Sequence, residues 1–311
     1  MFRIKGYIMK NFKSGKRNPP MKKMLVILFS ATAFLLQAEV RICAHCGKGA
    51  RYMRYSAENM HFCSEKCAKA KFSCAGCSEL PRGRYMIATG LNGESRRYCS
   101  RCSQHKKCFS CQFPTPTGKF YRDGRIQCLN CSRQALNPQQ AAELLQQLRH
   151  ELAEMHKFDP LHKITLRLVD HSTLKKIANS PNVMGCMKVL VTTKETGRVR
   201  RKKINQEWQC TLYLLNDLPP AAAAKVIVHE LTHDYLYHHA GAGKDPVITE
   251  GICEAVSGQW LLRRKYKGYF EAMKKNPDPV YGTGFRKLYP QLERYGLEGL
   301  TERYRSMFTP F

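Results

Sequence analysis

The segment VIVHELTHDYLYHH, residues 226–239, sets His229 and His233 four residues apart with Glu230 beside the first of them. On a helix, that spacing turns the second imidazole only about 40° from the first, so both can face one ion. Glu230 can then reach a water on that ion and act as general base. A catalytic zinc takes three protein ligands and keeps a fourth position for water, so a third donor is required. The stretch DPVITEGICEAVSGQWLLRRKY, starting at Asp245, reads as a second helix with Glu250 and Glu254 on one face. The preferred assignment makes Glu250 the third ligand and leaves Glu254, one turn on, to hold His229 from behind. An exchange of these two roles is the alternative.

His239 stands where the pattern HExxHxxGxxH has its last histidine. That pattern needs a glycine to end the helix, and here the position is Leu236. The helix should run on and point His239 about 240° away from His233, which makes it a poor ligand. Asp234 reads as an acid on the helix surface or behind a ligand. An oxyanion partner is usually needed as well; Tyr281 in VYGTGF is assigned that catalytic role, with Tyr235 the other candidate. Cys186, Cys210 and Cys253 read as small buried residues.

These side chains need a scaffold, and the preceding sequence supplies one. In SRQALNPQQAAELLQQLRHELAEMHKF, Asn137 can cap a helix, Pro138 suits its first turn, and apolar residues at 141, 144, 145, 148, 152 and 155 form one face. KITLRLVD alternates as a strand does. Residues 172–179 suggest a short helix, 188–193 and QCTLYLL two more strands, and TGRVRRKK a basic turn. Pro219 and Pro220 open the helix that carries His229. Strands followed by an HExxH helix are the order expected of a zincin catalytic domain, here 161–311, with 132–160 as a helical linker.

The chain has 311 residues and 15 cysteines. Twelve of the cysteines crowd into 41–131 as the pairs Cys43/Cys46, Cys63/Cys67, Cys74/Cys77, Cys99/Cys102, Cys108/Cys111 and Cys128/Cys131. A CxxC knuckle puts two sulfurs on one side of a tight turn, and two knuckles complete a tetrahedron around zinc. Taken in chain order, the pairs make three four-cysteine sites with none left over. His45, His61 and His105 are left out as ligands, His61 being the nearest to an exception. A disulfide-stapled domain is the competing reading.

Residues 1–38 hold eight Lys/Arg and no acid. From Met21, two lysines, an apolar run to Leu36 and Ala38 before Glu39 give the layout of a secretory signal peptide over 21–38, with 1–20 an extension upstream of the true start. The expected location is therefore exported, periplasmic or extracellular, with membrane attachment only through an uncleaved signal anchor. The net charge is +28, and the excess beyond the leader favours acidic partners or an anionic surface. No base-reading pattern is recognisable, so sequence-specific nucleic acid is not an expected partner.

HELTHDYL…TEGICEAVSGQWL resembles the DA-one-type peptidases, the LIM-containing zinc peptidases known from plant organ-size control. CFSCQFPTPTGKFYRDGRIQCLNC resembles that family's last finger, QCTLYLLNDLP its strand before the active-site helix, and VYGTGFRKLYPQLERYGLEGL its C-terminal segment; together these span roughly 41–305. The resemblance implies zinc ligands at His229, His233 and Glu250, protein substrates, and fingers that engage partners or the catalytic domain. Six residues between Cys67 and Cys74 and the CxxxC pair depart from usual LIM spacing. No ubiquitin-interacting helix is read ahead of the fingers, so ubiquitin regulation is not carried over. The fold class expected is α+β: a zincin-like (gluzincin) metallopeptidase domain preceded by small LIM-like treble-clef zinc fingers. One catalytic and about three structural zincs would be its cofactors, and a protein or peptide its substrate. The alternative function is a non-catalytic zinc-finger adaptor with a vestigial HExxH site.

Overall fold

The computed structural model describes residues 40–157, 162–180, 183–196 and 203–309. The leader and upstream extension expected at 1–38, and most of the basic turn at 196–203, lie outside these residues. The fold is mixed α/β, and among the described residues no helix is long and apolar enough to cross a membrane. The described residues divide into two compact units, 40–87 with 96–104 and those of 88–95 with 105–309.

In the first unit, the hairpins β1 (Arg41–Ile42) with β2 (Gly49–Ala50) and β3 (Tyr55–Ala57) with β4 (Met60–Phe62) lead into α1 (Glu65–Phe72). Ser64 caps α1 by accepting the Cys67 N–H. The core here is minimal: Cys43, Met53, Phe62, Cys67 and Ala68. So small an apolar cluster leaves the cysteine quartets as the main source of cohesion. Arg97 stacks 3.6 Å above the Phe72 ring and pairs with Glu58 at 3.2 Å. The hairpin β5 (Tyr85–Thr89) and β6 (Ser95–Cys99) spans the division, its tip grouping with the second unit.

The second unit contains the third cysteine quartet as well as the α/β layer. Its finger elements are β7 (Lys119–Phe120), β8 (Ile126–Gln127) and α2 (Leu129–Arg133). They are pinned at Asp217, whose carboxylate takes Lys119 Nζ at 2.8 Å and whose backbone carbonyl accepts from Gln127 Nε2 at 2.7 Å. Helix α3 (Pro138–His156) starts with a capping box between Asn137 and Gln140, buries Ala141, and places Leu145, Leu148 and Leu152 in the same core as the helix that carries His229.

A three-stranded sheet follows. β11 (Lys203–Leu215) lies between β9 (Ile164–Val169), to which it is parallel, and the antiparallel edge strand β10 (Gly185–Thr196); α4 (His171–Ala178) bridges β9 and β10. Against this sheet packs α5 (Pro220–His239), opened by Pro220 at its first turn, which continues through His239. After β12 (Ala242–Gly243) come α6 (Pro246–Arg263), α7 (Lys267–Lys274) and α8 (Tyr281–Arg303), the last broken at Gly296 with φ +69°. Asp245 caps α6 by accepting from the N–H groups of Val247 and Ile248. β13 (Phe308–Thr309) pairs back onto β12.

The placement of α6 rests on two glycines. A Cβ on Gly251 would lie 2.7 Å from Gly284 Cα and 2.9 Å from Leu288 Cδ1, so α6 and α8 touch backbone to backbone next to Glu250. Because backbone cannot step aside, Gly251→Val should cost at least about 2 kcal/mol. A thermal melt should show a lower Tm, together with weaker metal binding as Glu250 is displaced; an unchanged Tm would contradict this packing.

Candidate metal centre

Along α5, the four-residue spacing puts both imidazoles on the side facing α6. His229 Nε2 lies 3.0 Å from Glu250 Oε2, His233 Nε2 lies 3.3 Å from the same oxygen, and the two Nε2 atoms are 3.2 Å apart. Three tetrahedral ligands at a Zn–N or Zn–O distance of about 2.0–2.1 Å would stand about 3.3 Å from one another, so the donor triangle fits one zinc. On the far side of the ring, His229 Nδ1 contacts Glu254 Oε1 at 3.0 Å, and that oxygen also takes Lys225 Nζ at 2.9 Å. Glu250 therefore stands where a ligand belongs and Glu254 behind it. Glu230 is 9% exposed, and its Oε2 accepts the Met187 N–H of β10 at 2.9 Å. A Cβ on Gly185 would meet Val226 Cγ1 at 2.3 Å, so β10 comes this near α5 only with glycine there.

Without an ion the charges compensate one another. Burial opposes charging of His229, but hydrogen bonds and charge from Glu250 and Glu254 outweigh it and raise its pKa to about 10. Burial likewise opposes ionisation of Glu254, yet Lys225 and His229 hold it down to about 2. Glu250 is pulled well below the carboxylate range, against its burial, by the two histidines. Cys253 Sγ lies within 4.8 Å of the ligating nitrogens of His229 and His233. Burial and three neighbouring carboxylates push its thiol far up, so it stays protonated, and the closer, already anionic Glu250 is the better third donor. Cys253 is thus buried, as its small size suggested, but it also borders the site.

Tyr281 begins α8 with its ring centroid 6.1 Å from that of His229, and burial followed by the charge of Glu250 raises its hydroxyl to about 12. It thus borders the site as a protonated donor. Tyr235 does not: it is buried, stacks on His239 at 4.3 Å and feels Glu298 of α8. Its position on α5, two residues past His233, turns it about 200° around the helix, which removes it as an oxyanion candidate. Beside His233 opens a cavity of about 300 Å³ lined by Met187, Val189, Leu236, Tyr237, Thr249 and Phe308, among others.

The cysteines assemble as the pairs suggested, in three quartets that could each hold a metal ion: Cys43, Cys46, Cys63 and Cys67; Cys74, Cys77, Cys99 and Cys102; and Cys108, Cys111, Cys128 and Cys131. Sulfur separations of 3.6 Å for Cys46–Cys63 and Cys63–Cys67, and 3.9 Å for Cys111–Cys128, match the roughly 3.8 Å edge of a zinc–thiolate tetrahedron with bonds of about 2.3 Å. Backbone N–H groups aim at the sulfurs, from Gly76 and Cys99 to Cys74 and from Cys128 to Cys108. Those of Cys46 and Cys63 bring Cys43 down to about 6. None of His45, His61 and His105 belongs to a quartet.

Sequence reasoning missed Lys225 and the Met187 N–H. Lys225 carried a signal, being the one lysine in the run AAAAKVIVHE; the Met187 N–H carried none, since any residue supplies a backbone donor.

Two histidines and a glutamate from facing helices, with a glutamate beside the first histidine, stand as the donors of a mononuclear centre of the HExxH type would. The chain is similar, at low identity, to DA1-like proteins. The DA1-like family, described as Protein DA1, matches residues 123–276, which include α5 and α6. Protein DA1 of Arabidopsis thaliana is 21% identical over 362 residues, covering 86% of this chain and 67% of its own length. Protein DA1-related 1 of the same plant is 21% identical over 305 residues, covering 76% of this chain and 54% of its own length, so the chain spans about half of that relative. No solved structure matches.

Because His229 holds its proton up to about pH 10 without metal, zinc must expel it to bind. Filling this site in weakly buffered solution at pH 7.5 should release close to one proton per zinc, and affinity should rise about tenfold per pH unit between pH 6 and 8. A pH-independent affinity would show that His229 is not the proton carrier. Glu254→Gln should weaken zinc binding by about 10–100-fold, measured by competition with a chelator.

Proposed function

We propose that the chain is a zinc-dependent metallopeptidase of the gluzincin type, hydrolysing peptide bonds of protein substrates, with LIM-like fingers for protein interaction or regulation. The observation that carries this reading is the triangle of His229, His233 and Glu250 with Glu230 alongside it. A zinc ion held there would supply Lewis acidity, polarising the scissile carbonyl and acidifying a water. Glu230 takes the proton of that water as its hydroxyl joins the carbonyl carbon, and delivers it to the amine nitrogen as the C–N bond breaks. Met187 N–H engages one carboxylate oxygen and fixes its direction, leaving the other to carry the proton. Tyr281 donates to the carbonyl oxygen as negative charge grows there. The cavity beside His233 receives an apolar substrate side chain. Export behind a cleaved signal peptide and a preference for acidic partners belong to the same proposal.

Glu230→Gln should lower cleavage of a denatured protein such as casein by at least about 10²-fold while zinc content stays at the parent level. Equal activity in that variant would sink the mechanism, and zinc binding without any cleavage by the parent would favour the adaptor reading. Tyr281→Phe should reduce kcat by roughly 10²–10³-fold with zinc retained; a change confined to KM would assign Tyr281 to substrate contact instead.

A further inference from the structure

A second group of metal-ligating side chains lies apart from the triangle, where α5 meets the start of β9 and the middle of β11. The ligating atoms of His162, Cys210 and Asp234 all lie within 4.8 Å of one another. The register explains the meeting: Cys210 pairs with Ile164, two residues after His162, and Asp234 faces the sheet from α5. His238, one turn beyond Asp234, brings its Nε2 to 3.3 Å from Asp234 Oδ1 and its ring centroid to 4.2 Å from that of His162. Asp234 is 3% exposed and Cys210 2%. Asp234 Oδ1, His162 Nδ1 and His238 Nε2 are all buried without a hydrogen-bond partner among the described residues, the Asp234–His238 approach having the distance of a hydrogen bond but not its direction. Buried polar atoms are rarely left so, and three in one cluster call for a common partner. Sequence reasoning took Cys210 for a small buried residue and Asp234 for an acid on the surface or behind a ligand, since it does not display the pairing of β11 with β9 that brings Cys210 beside His162.

The geometry points to a second metal site in this unit, with His162, Cys210 and Asp234 as ligands for a borderline divalent transition-metal ion such as Zn²⁺, and His238 as the group that positions Asp234. Imidazole, thiolate and carboxylate together suit such an ion, whereas a thiolate is a poor ligand for Mg²⁺ or Ca²⁺. Burial and then the charge of Asp234 raise the Cys210 thiol to about 11, so binding would displace its proton, as it does at any thiolate site. The site does not depend on the peptidase reading.

Zinc per chain tests it, by elemental analysis of the parent, His162→Ala/Cys210→Ala, His229→Ala/His233→Ala and the variant combining all four changes. Each pair of changes should remove one zinc and the combination two. An unchanged count in a folded His162→Ala/Cys210→Ala protein overturns the proposal, while an unchanged count in His229→Ala/His233→Ala would strike only the HExxH centre. Should the first pair fail to fold, Trp208 gives a second reading, because its ring lies 5.0 Å from that of His162 and 4.9 Å from that of His238. Co²⁺ added to chelator-treated His229→Ala/His233→Ala protein should quench tryptophan emission, and His162→Ala should abolish the quench. No quench, or one that survives His162→Ala, overturns the site.

Discussion

The contact of Glu250 with two imidazoles at 3.0 and 3.3 Å demands that α6 be placed to within a few tenths of an ångström relative to α5, and most of the packing around it serves that placement. Gly251 and Gly284 let α6 sink onto α8. On the opposite side, Trp260 donates to Glu151 of α3 at 2.7 Å, and Arg264 pairs with the same carboxylate. Helix α6 is thus clamped at both ends of its buried face. The helices carry no freedom to trade Glu250 for another donor, because a shift of one residue would turn the carboxylate about 100° away.

Such a site concentrates charge in a poorly solvated place. Glu254 and His229 are each 9% exposed or less, and burial alone would neutralise them. Lys225 and the proton on His229 keep Glu254 ionised. With an ion in the triangle, its own charge takes over from that proton, and Lys225 continues to hold Glu254. The arrangement is preorganised, the property that electrostatic catalysis requires.

Much of this was legible in the sequence because it is local. Histidines four apart need only a helix, and Asn137-Pro138, Pro220 and Asp245-Pro246 announce where the helices begin. The cysteine pairs are likewise local, and their grouping follows from pairing neighbours. A candidate third donor was reachable because Glu250 is near in sequence, and its carboxylate meets both imidazoles. What was hidden depends on tertiary register. Nothing near Asp217 says that it anchors the third finger, and nothing near Met187 says that its N–H meets Glu230. Cys210 with His162 is a matter of strand pairing, which a single sequence does not display.

Helix α5 repeats one device on two faces. His229 and His233 are four apart, and so are Asp234 and His238, the second pair displaced five residues from the first and so turned about 140° around the axis. The first pair meets α6, and the second meets the sheet at His162 and Cys210. A helix buried on nearly every side has no solvated face on which to leave such groups, and each polar pair must find partners inside the unit. The first pair finds Glu250 and Glu254. The second finds a thiol and an imidazole whose Nδ1 has no partner among the described residues, which is the arrangement that an ion would complete and that an apolar neighbour would not.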